Sequence, residues 1–174
     1  MAEDLKGYKY KGEDFLYLVE IEDELGQETL IRPFDQMGGS TSMSADEMEI
    51  STKDRSGADY GDTTQTVSLE GQIVFDDPFI KAMKKAIRNK KFVKIYEVDT
   101  KTLEAEYGMY MVSTFDREFG HGDFATYSLE GTLFGEVCET TLTEIPGGAP
   151  AIEGMDCDGN EGNDGSDGGE AVEG

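Results

Sequence analysis

The sequence predicts a mainly β protein, a β-sandwich or barrel of six to eight strands with one flanking α-helix. Segments in which apolar and polar residues alternate recur along most of the chain, as in strands that bury one face. Only one segment, which begins at Pro78, has apolar residues at helical spacing. Residues 146–174 follow neither pattern and contain no aromatic residue. We therefore expect one folded domain over residues 1–145 and a separate tail.

The first two strands are predicted to form a hairpin near the N-terminus. Alternation over residues 15–22 gives two faces, one with Phe15, Tyr17, Val19 and Ile21 and the other with Leu16, Leu18, Glu20 and Glu22. Residues 24–27 predict a turn. Residues 28–34 predict the returning strand, and Pro33 suits its end.

A long polar segment follows this hairpin. Residues 35–65 are rich in Gly, Ser, Thr and Asp, and only Met48 and Ile50 are placed in a short strand. Loops of this length are uncommon in compact domains and are usually functional or disordered. We expect a long arm or loop that leaves the core.

The helix and the remaining strands are predicted from residue 66 onward. Alternation resumes over residues 66–75, and Asp76-Asp77-Pro78 then starts the helix, because Asp is a preferred N-cap and Pro suits the first helical position. The apolar stripe of this helix consists of Phe79, Ile80, Met83, Ala86 and Ile87. Further strands are predicted over residues 92–98, 106–119 and 124–145, the second of them with one face made of Tyr107, Met109, Met111 and Phe115.

One short sequence occurs twice. Ser-Leu-Glu-Gly appears at residues 68–71 and again at residues 128–131. Two similar strands that converged on one local solution would explain this, and so would two equivalent strands of one sheet. A four-residue match does not decide between these interpretations.

The charge of the chain excludes several classes of function. Lys and Arg total 15 against 38 Asp and Glu, a net charge of −23. Ordinary binding to nucleic acid needs cations that release phosphate counterions, and docking on anionic membranes needs them too. No apolar run approaches the roughly 18 residues of a membrane span, and the N-terminus lacks the apolar core of a signal peptide. We expect a soluble, intracellular protein without a membrane partner.

The tail accounts for part of this charge. Residues 146–174 contain eight acids and no base, so that without them the net charge falls to −15. Such a segment buries too little apolar surface to offset its ordering entropy, which predicts disorder. Asp156 to Asn160 begins like a calcium loop, but Glu161 stands where Gly is required and Asp167 stands where Glu is required.

No residue pattern indicates an enzyme, a cofactor or a metal site. The single histidine, His121, lies in a glycine-flanked turn and is best explained as an exposed loop residue. Cys138 and Cys157 match no zinc spacing and are too few for a disulfide scaffold. Glycine loops for phosphate and the nucleophile-elbow motif are absent from the sequence.

The helix carries an unusual concentration of cations. Seven of the 15 Lys and Arg residues fall between Lys81 and Lys94, with no acid between Pro78 and Lys94. The helix can be an ordinary solvated amphipathic helix. Because the rest of the body is acidic, its basic face can equally be a patch for self-association. That candidate face consists of Lys81, Lys84, Lys85, Arg88 and Lys91.

Two stretches resemble the major tail proteins, or tail tube proteins, of long-tailed bacteriophages, in the lactococcal TP901-1-like group. The first runs TVSLEGQIVFDDPFIKAMKKAIRNKKFVKIYEVD, a strand, an acid-Pro helix start and a strand that ends in Tyr96-Glu97-Val98-Asp99. The second runs EYGMYMVSTFDREFGHGDFATYSLEGTL, where Tyr107-Gly108 begins a strand and a turn leads into Phe124 and Thr126-Tyr127-Ser128. The resemblance covers roughly residues 5–145.

The resemblance implies a structural subunit of a tail tube. Six copies would form a ring with about four strands each in a continuous inner barrel, and stacked rings would pass double-stranded DNA without specific binding. It implies tape-measure, tail-initiator and tail-terminator proteins as partners, the virion tail as location and the host bacterial cytoplasm as the place of assembly. The candidate lumen-facing acids are Glu20, Glu22, Glu70 and Glu130, and the candidate inter-ring arm residues are Met43, Met48, Ile50, Asp54, Arg55 and Tyr60.

Two other functions remain open at this point. A tube subunit of a contractile secretion or injection machine would share the fold without carrying a genome. An acidic cation-binding β-protein would use the carboxylates directly.

Overall fold

The computed structural model describes residues 5–22 and 26–149. It is mainly β, as expected, with seven strands and one α-helix in the described part of the chain. In chain order these are β1 (Phe15–Glu22), β2 (Glu28–Ile31), β3 (Gln36–Ser51), β4 (Ser56–Gln72), α1 (Pro78–Arg88), β5 (Val93–Asp99), β6 (Glu104–Glu118) and β7 (Thr126–Thr141). No helix among the described residues is both long and apolar enough to cross a membrane.

The strands form one antiparallel sheet in the order β2-β1-β5-β6-β7-β4-β3. β1, whose two faces match the prediction, directs Tyr17, Val19 and Ile21 into the main core. This core also takes side chains from β4, β5, β6, β7 and from Phe79, Ile80 and Met83 of α1. One helix and strands from both halves of the sheet therefore enclose the main apolar core, as in a sandwich.

The sheet curls so that β3 approaches β1, although the two are not neighbours in the strand order. The side-chain amide of Gln36 accepts a hydrogen bond from the Tyr17 N–H at 3.0 Å and donates one to the Tyr17 carbonyl at 2.8 Å. A Cβ at Gly39 would stand 2.4 Å from the Tyr17 ring, so only Gly allows this approach. The Tyr17 hydroxyl also contacts Thr41 at 2.9 Å. Burial between the two strands raises the pKa of Tyr17 to about 12.

A smaller apolar cluster lies on the opposite face of β1 and β5. Leu18, Val98 and Ala105 are buried there, and Leu142 and Ile145 of the segment after β7 pack against them. The chain beyond β7 is thus anchored to the domain as far as Ile145.

The helix begins where the sequence predicts. The Asp77 carboxylate accepts hydrogen bonds from the Phe79 N–H at 2.9 Å and the Phe34 N–H at 3.0 Å, which caps α1 and ties it to the segment before β3. Burial raises the pKa of Asp77, and these hydrogen bonds oppose the rise. The stripe residues Phe79, Ile80 and Met83 are buried, whereas Ile87 is exposed.

The polar segment 35–65 is not a loop. Apart from a short turn it forms most of β3 and β4, which pair from Gln36↔Gly71 to Ser51↔Ser56. The last pair between β4 and β7 is Thr66↔Thr132, so residues 56–65 of β4 are paired only with β3. Ten strand residues rise about 33 Å. We call residues 45–63, which form this projecting hairpin, the arm.

The predicted face of β6 is wrong in part. The first of two irregularities, between Tyr107 and Met109, adds two residues to β7 and leaves Tyr107, Met109 and Met111 on one face of β6. The second, between Val112 and Thr114, shifts the alternation of β6 by one residue. Gly108, Tyr110 and Val112 face the core, while Met109 and Met111 are exposed on the other side. Phe115 returns to the core side after the second irregularity. β2 is also shorter than predicted and ends at Ile31.

Candidate functional site

The repeated Ser-Leu-Glu-Gly sequences lie on neighbouring strands and pair with each other. In the antiparallel register Leu69 stands opposite Leu129, Ser68 opposite Glu130, and Glu70 opposite Ser128. Both leucines are fully buried in the core, so both glutamates point to the opposite face of the sheet. The two sequences are therefore equivalent strands of one sheet. Each Glu faces a Ser, which avoids placing like charges directly opposite each other.

Two further acids share this face. Asp116 of β6 pairs with Ser128 and Glu118 pairs with Thr126, and both acids are exposed. We call the set Glu70, Asp116, Glu118 and Glu130 the acidic face. Within residues 38–44, 64–72, 109–118 and 126–134 the other side chains of this face are Gly, Ser, Thr, Gln, Met and Phe. Cations are missing from this described surface.

Asp116 and Glu118 were not among the acids predicted for this face. The second irregularity of β6 shifts the alternation by one residue, and a shift of one residue moves a side chain to the other face. The only signal in the sequence is the alternation of acids in DRE, which does not say which face they occupy.

Glu20 and Glu22 lie on the same side of the sheet as Glu70 and Glu130, but each is paired with a cation. The Lys94 ammonium donates to Glu20 at 2.5 Å, and the Tyr96 hydroxyl donates to it at 2.8 Å. Although partial burial acts in the opposite direction, these hydrogen bonds hold the pKa of Glu20 below its usual value. The hydrogen bond to Glu20 raises the pKa of Lys94. Lys91 binds Glu22 at 2.9 Å.

The four predicted acids therefore divide into two groups. Glu20 and Glu22 sit in ion pairs on β1, whereas no salt bridge among the described residues involves Glu70 or Glu130. The charges of Glu20 and Glu22 are therefore balanced by neighbouring cations, whereas Glu70 and Glu130 have no ion-pair partner among the described residues.

Four residues of the basic face lie on α1, on the other side of the sheet, and the fifth, Lys91, follows the helix and reaches Glu22. Lys81, Lys85, Arg88 and Lys91 are exposed and Lys84 is half-buried. Lys85 and Arg88 lie in the last turn of the helix, where cations interact favourably with the helix dipole. The structure thus separates positive charge on the helix from negative charge on the opposite face of the sheet.

The predicted arm residues lie on the β3–β4 hairpin. Met48, Ile50, Asp54, Arg55 and Tyr60 belong to the arm, and Met43 lies two residues before it. Met43, Met48 and Tyr60 are among the most exposed apolar side chains of the described residues. The two cations of the hairpin, Lys53 and Arg55, both lie in its tip turn.

The described residues contain no cluster of three or more His, Cys, Asp or Glu side chains that could hold a metal ion. His121 is exposed in the turn between β6 and β7. The segment that begins like a calcium loop, from Asp156, lies outside the described residues.

Comparison with solved structures finds the same fold in tail tubes. A chain in the tail of an empty gene transfer agent particle, computed with C6 symmetry, has 14% identity and a TM-score of 0.64, over 76% of this chain and 100% of that one. The SPP1 tail tube has 19% identity and a TM-score of 0.59, over 79% of this chain and 81% of that one. The sheath-tube complex of the PVC extracellular contractile injection system has 13% identity and a TM-score of 0.55, over 82% and 99%.

No curated protein matches the chain in a sequence comparison. The family model for phage tail tube proteins, however, matches residues 9–139, which include all seven strands to within two residues of the end of β7. The chain therefore belongs to the phage tail tube protein family, whose members are structural subunits of phage and phage-like tails and not enzymes.

Proposed function

We propose that the chain forms hexameric rings that stack into a tube, and that the acidic face lines a lumen through which double-stranded DNA passes without binding. One observation carries the proposal: on the sheet face opposite α1, residues 38–44, 64–72, 109–118 and 126–134 present four acids and no cation. A cationic lumen would bind phosphates and arrest the duplex, whereas an acidic one repels it from all sides.

The sheet has dimensions that suit this role. If β3, β4, β7 and β6 each contribute to an inner barrel, six copies give about 24 strands. At roughly 4.8 Å spacing and a tilt of about 40°, the backbone diameter is about 48 Å. Side chains reduce the bore to about 38 Å, which is wider than a B-form duplex and its first water layer. The C6 symmetry of the gene transfer agent tail supports six copies.

The arm supplies a means of stacking. It projects about 33 Å beyond the last β4–β7 pair and exposes apolar side chains to solvent. A surface of this kind on an assembly protein is expected to meet a partner. The basic face of α1, on the far side of the sheet, is proposed as a contact between subunits within a ring, because it is complementary to the acidic remainder of the domain.

The proposal also includes a subgroup of the family, the partner proteins and the place of assembly. The TP901-1-like group is the proposed relation within the family. The tape-measure, tail-initiator and tail-terminator proteins are the proposed partners, and assembly is proposed to occur in the host cytoplasm before the tube joins the virion tail.

A tube of a contractile injection system is the second candidate, favoured by the likeness to the PVC sheath-tube complex. Such a tube is surrounded by a sheath. Co-expression with a neighbouring sheath gene, followed by electron microscopy, would distinguish the two by the presence or absence of a sheathed tube.

The experiment that tests the acidic lumen reverses its charge. The double variant Glu70→Lys, Glu130→Lys changes the charge by +4 in each subunit, about +24 in each ring of six. Purified tubes should still form, because both side chains point away from the core. They should gain salt-sensitive retention of linear DNA in a sedimentation assay, and particles that carry them should eject genomes slowly.

The control places the same charge change elsewhere. Glu104 and Glu139 are exposed and lie on the other side of the sheet, so Glu104→Lys with Glu139→Lys should leave DNA retention unchanged. Equal retention by both double variants would mean that total charge, and not the acidic face, governs the effect. Tubes of the first variant that pass DNA normally would refute the acidic lumen.

A further inference from the structure

Three phenylalanine rings stand almost free in solvent at one end of the sheet. Phe75 is 92% exposed, Phe124 is 80% exposed and Phe119 is 66% exposed. Phe is among the residues most often buried, and single exposed apolar residues need no explanation. Three exposed rings at the same end of one domain, in contrast, indicate an interaction surface.

The strand register brings the three rings together. Thr126 of β7 pairs with both Gln72 of β4 and Glu118 of β6, so these three strands end at one level. Phe75 follows the end of β4 by three residues, Phe119 directly follows β6, and Phe124 precedes β7 by two. We call Phe75, Phe119 and Phe124 the phenylalanine rim.

The rim and the tip of the arm lie at opposite ends of β4. β4 runs for 17 residues from Ser56, next to the tip turn, to Gln72, next to the rim. At about 3.3 Å per residue the two surfaces are separated by roughly 50 Å. Neither can reach the other within one subunit.

The two ends are complementary in chemistry. The arm exposes Met48 and Tyr60, and its two cations, Lys53 and Arg55, flank Asp54 in the tip turn, whereas its other five acids lie on the strands. The rim exposes phenylalanine rings. Arg117 lies over the Phe119 ring, but four exposed acids outnumber it at the strand ends and in the adjoining turns, namely Asp76, Asp116, Glu118 and Asp123. Methionine and aromatic side chains pack favourably on phenylalanine rings, and the tip cations would meet the rim acids.

We propose that the phenylalanine rim is the docking surface for the arm of a second copy of this chain. The proposal rests on the proposed function and names the receiving surface for stacking. A contact between two different surfaces of identical subunits is head-to-tail, and it continues without limit unless rotation closes it. Stacking through arm and rim therefore produces a filament of rings.

The direct test removes the rim. In the variant Phe75→Ser, Phe119→Ser, Phe124→Ser the protein should fold normally, since these rings contribute little to the core. The concentration at which tubes appear by electron microscopy and sedimentation should rise about tenfold or more. Phe134→Ser is the matched control, because Phe134 is 65% exposed but lies on β7 away from the rim. It should leave that concentration unchanged.

A complementation experiment tests the pairing itself. A second variant shortens the arm by replacing residues 46–62 with an Asn-Gly turn between Ala45 and Thr63, which face each other in the hairpin. This variant keeps the rim and lacks the arm, while the rim variant keeps the arm and lacks the rim. Neither should form tubes alone at the concentration at which the wild type does. Mixed, they should form stacks of two rings and nothing longer.

The outcomes separate this inference from the proposed function. Wild-type protein that never forms tubes would refute the tail tube assembly itself. Wild-type tubes together with unchanged tube formation by the rim variant would refute only the docking surface. A mixture without two-ring stacks would also overturn the pairing of arm and rim. The single variant Phe75→Ser, at the most exposed ring, should weaken stacking partially, and circular dichroism melting verifies that each variant is folded.

Discussion

Glu20 illustrates how a single residue can sit on the proposed lumen side without adding charge to it. Its carboxylate accepts hydrogen bonds from both Lys94 and Tyr96, and its side chain is largely shielded from solvent. Because the ion pair is partly buried, its loss is costly, and its stability contribution depends on pH.

We expect Glu20→Gln to lower the free energy of unfolding by about 2 kcal/mol near neutral pH, because the charged hydrogen bonds are lost. The folded-state pKa of Glu20 is lowered from 4.5, so this contribution is present above about pH 4.5 and disappears as the pH falls through the lowered value. Because the pKa of Lys94 is raised from 10.5, the ion pair keeps its contribution to stability up to pH 10.5 and loses it as the pH rises through the raised pKa. Urea unfolding of both proteins across this range measures the difference.

Glu22→Gln provides the comparison. Its ion pair with Lys91 is more exposed, so we expect a change well under 1 kcal/mol. A difference between wild type and Glu20→Gln that stays constant from pH 3 to pH 7 would show that the effect is steric and not ionic.

Among the elements, α1 was the most predictable and the arm the least. Asp77-Pro78 and the apolar stripe determine where the helix starts and which side is buried, and both signals are local. The arm has no alternation of apolar residues, so period-two analysis cannot find its strands. The register of its two strands is set in the body of the sheet, where β3 pairs with the buried residues Val67 and Leu69 of β4.

The candidate site was also predictable only in part. Alternation within β1 and the two Ser-Leu-Glu-Gly strands places Glu20, Glu22, Glu70 and Glu130 on one side of the sheet. The ion pairs of Glu20 and Glu22 join residues about 70 positions apart and have no local signal. The acids of β6 were missed because an irregularity changes the face, and irregularities leave little trace in a single sequence.

The basic face of α1 permits a prediction at the scale of one element. Lys81→Gln, Lys85→Gln and Arg88→Gln together should leave the domain folded, since all three side chains are exposed. If this face contacts acidic surfaces of neighbouring subunits, ring formation should weaken at low salt and lose most of its salt dependence. Analytical ultracentrifugation at several salt concentrations measures this.

Lys6→Gln, Lys9→Gln and Lys11→Gln form the control, because they remove the same charge from exposed positions outside the helix and the arm. An equal loss of assembly in both triple variants would attribute the effect to net charge. Normal rings from the helix variant would exclude the basic face as a contact.

At the scale of the whole molecule, the tail can be separated from the domain. Ile145 is the last residue that packs on the described apolar clusters, so removal of residues 147–174 should change neither the melting temperature nor tube formation. The truncation removes eight negative charges from each subunit, about 48 from each ring of six. Truncated tubes should associate side by side at lower salt, as measured by light scattering and electron microscopy. Failure of truncated protein to form tubes would assign the segment a role in holding subunits together.

The position of β3 at the edge of the sheet has a consequence for the timing of assembly. This edge strand is 16 residues long and contains no Pro, Lys or Arg, so that its only charged residues are the acids Asp46, Glu47 and Glu49 near its far end. A free subunit therefore carries an open template for β-aggregation, and self-repulsion from a net charge of −23 is what keeps it colloidally stable. We therefore expect nucleation to limit polymerisation. Pure protein should show a long lag, and preformed tube ends, which capture subunits one ring at a time, should abolish this lag.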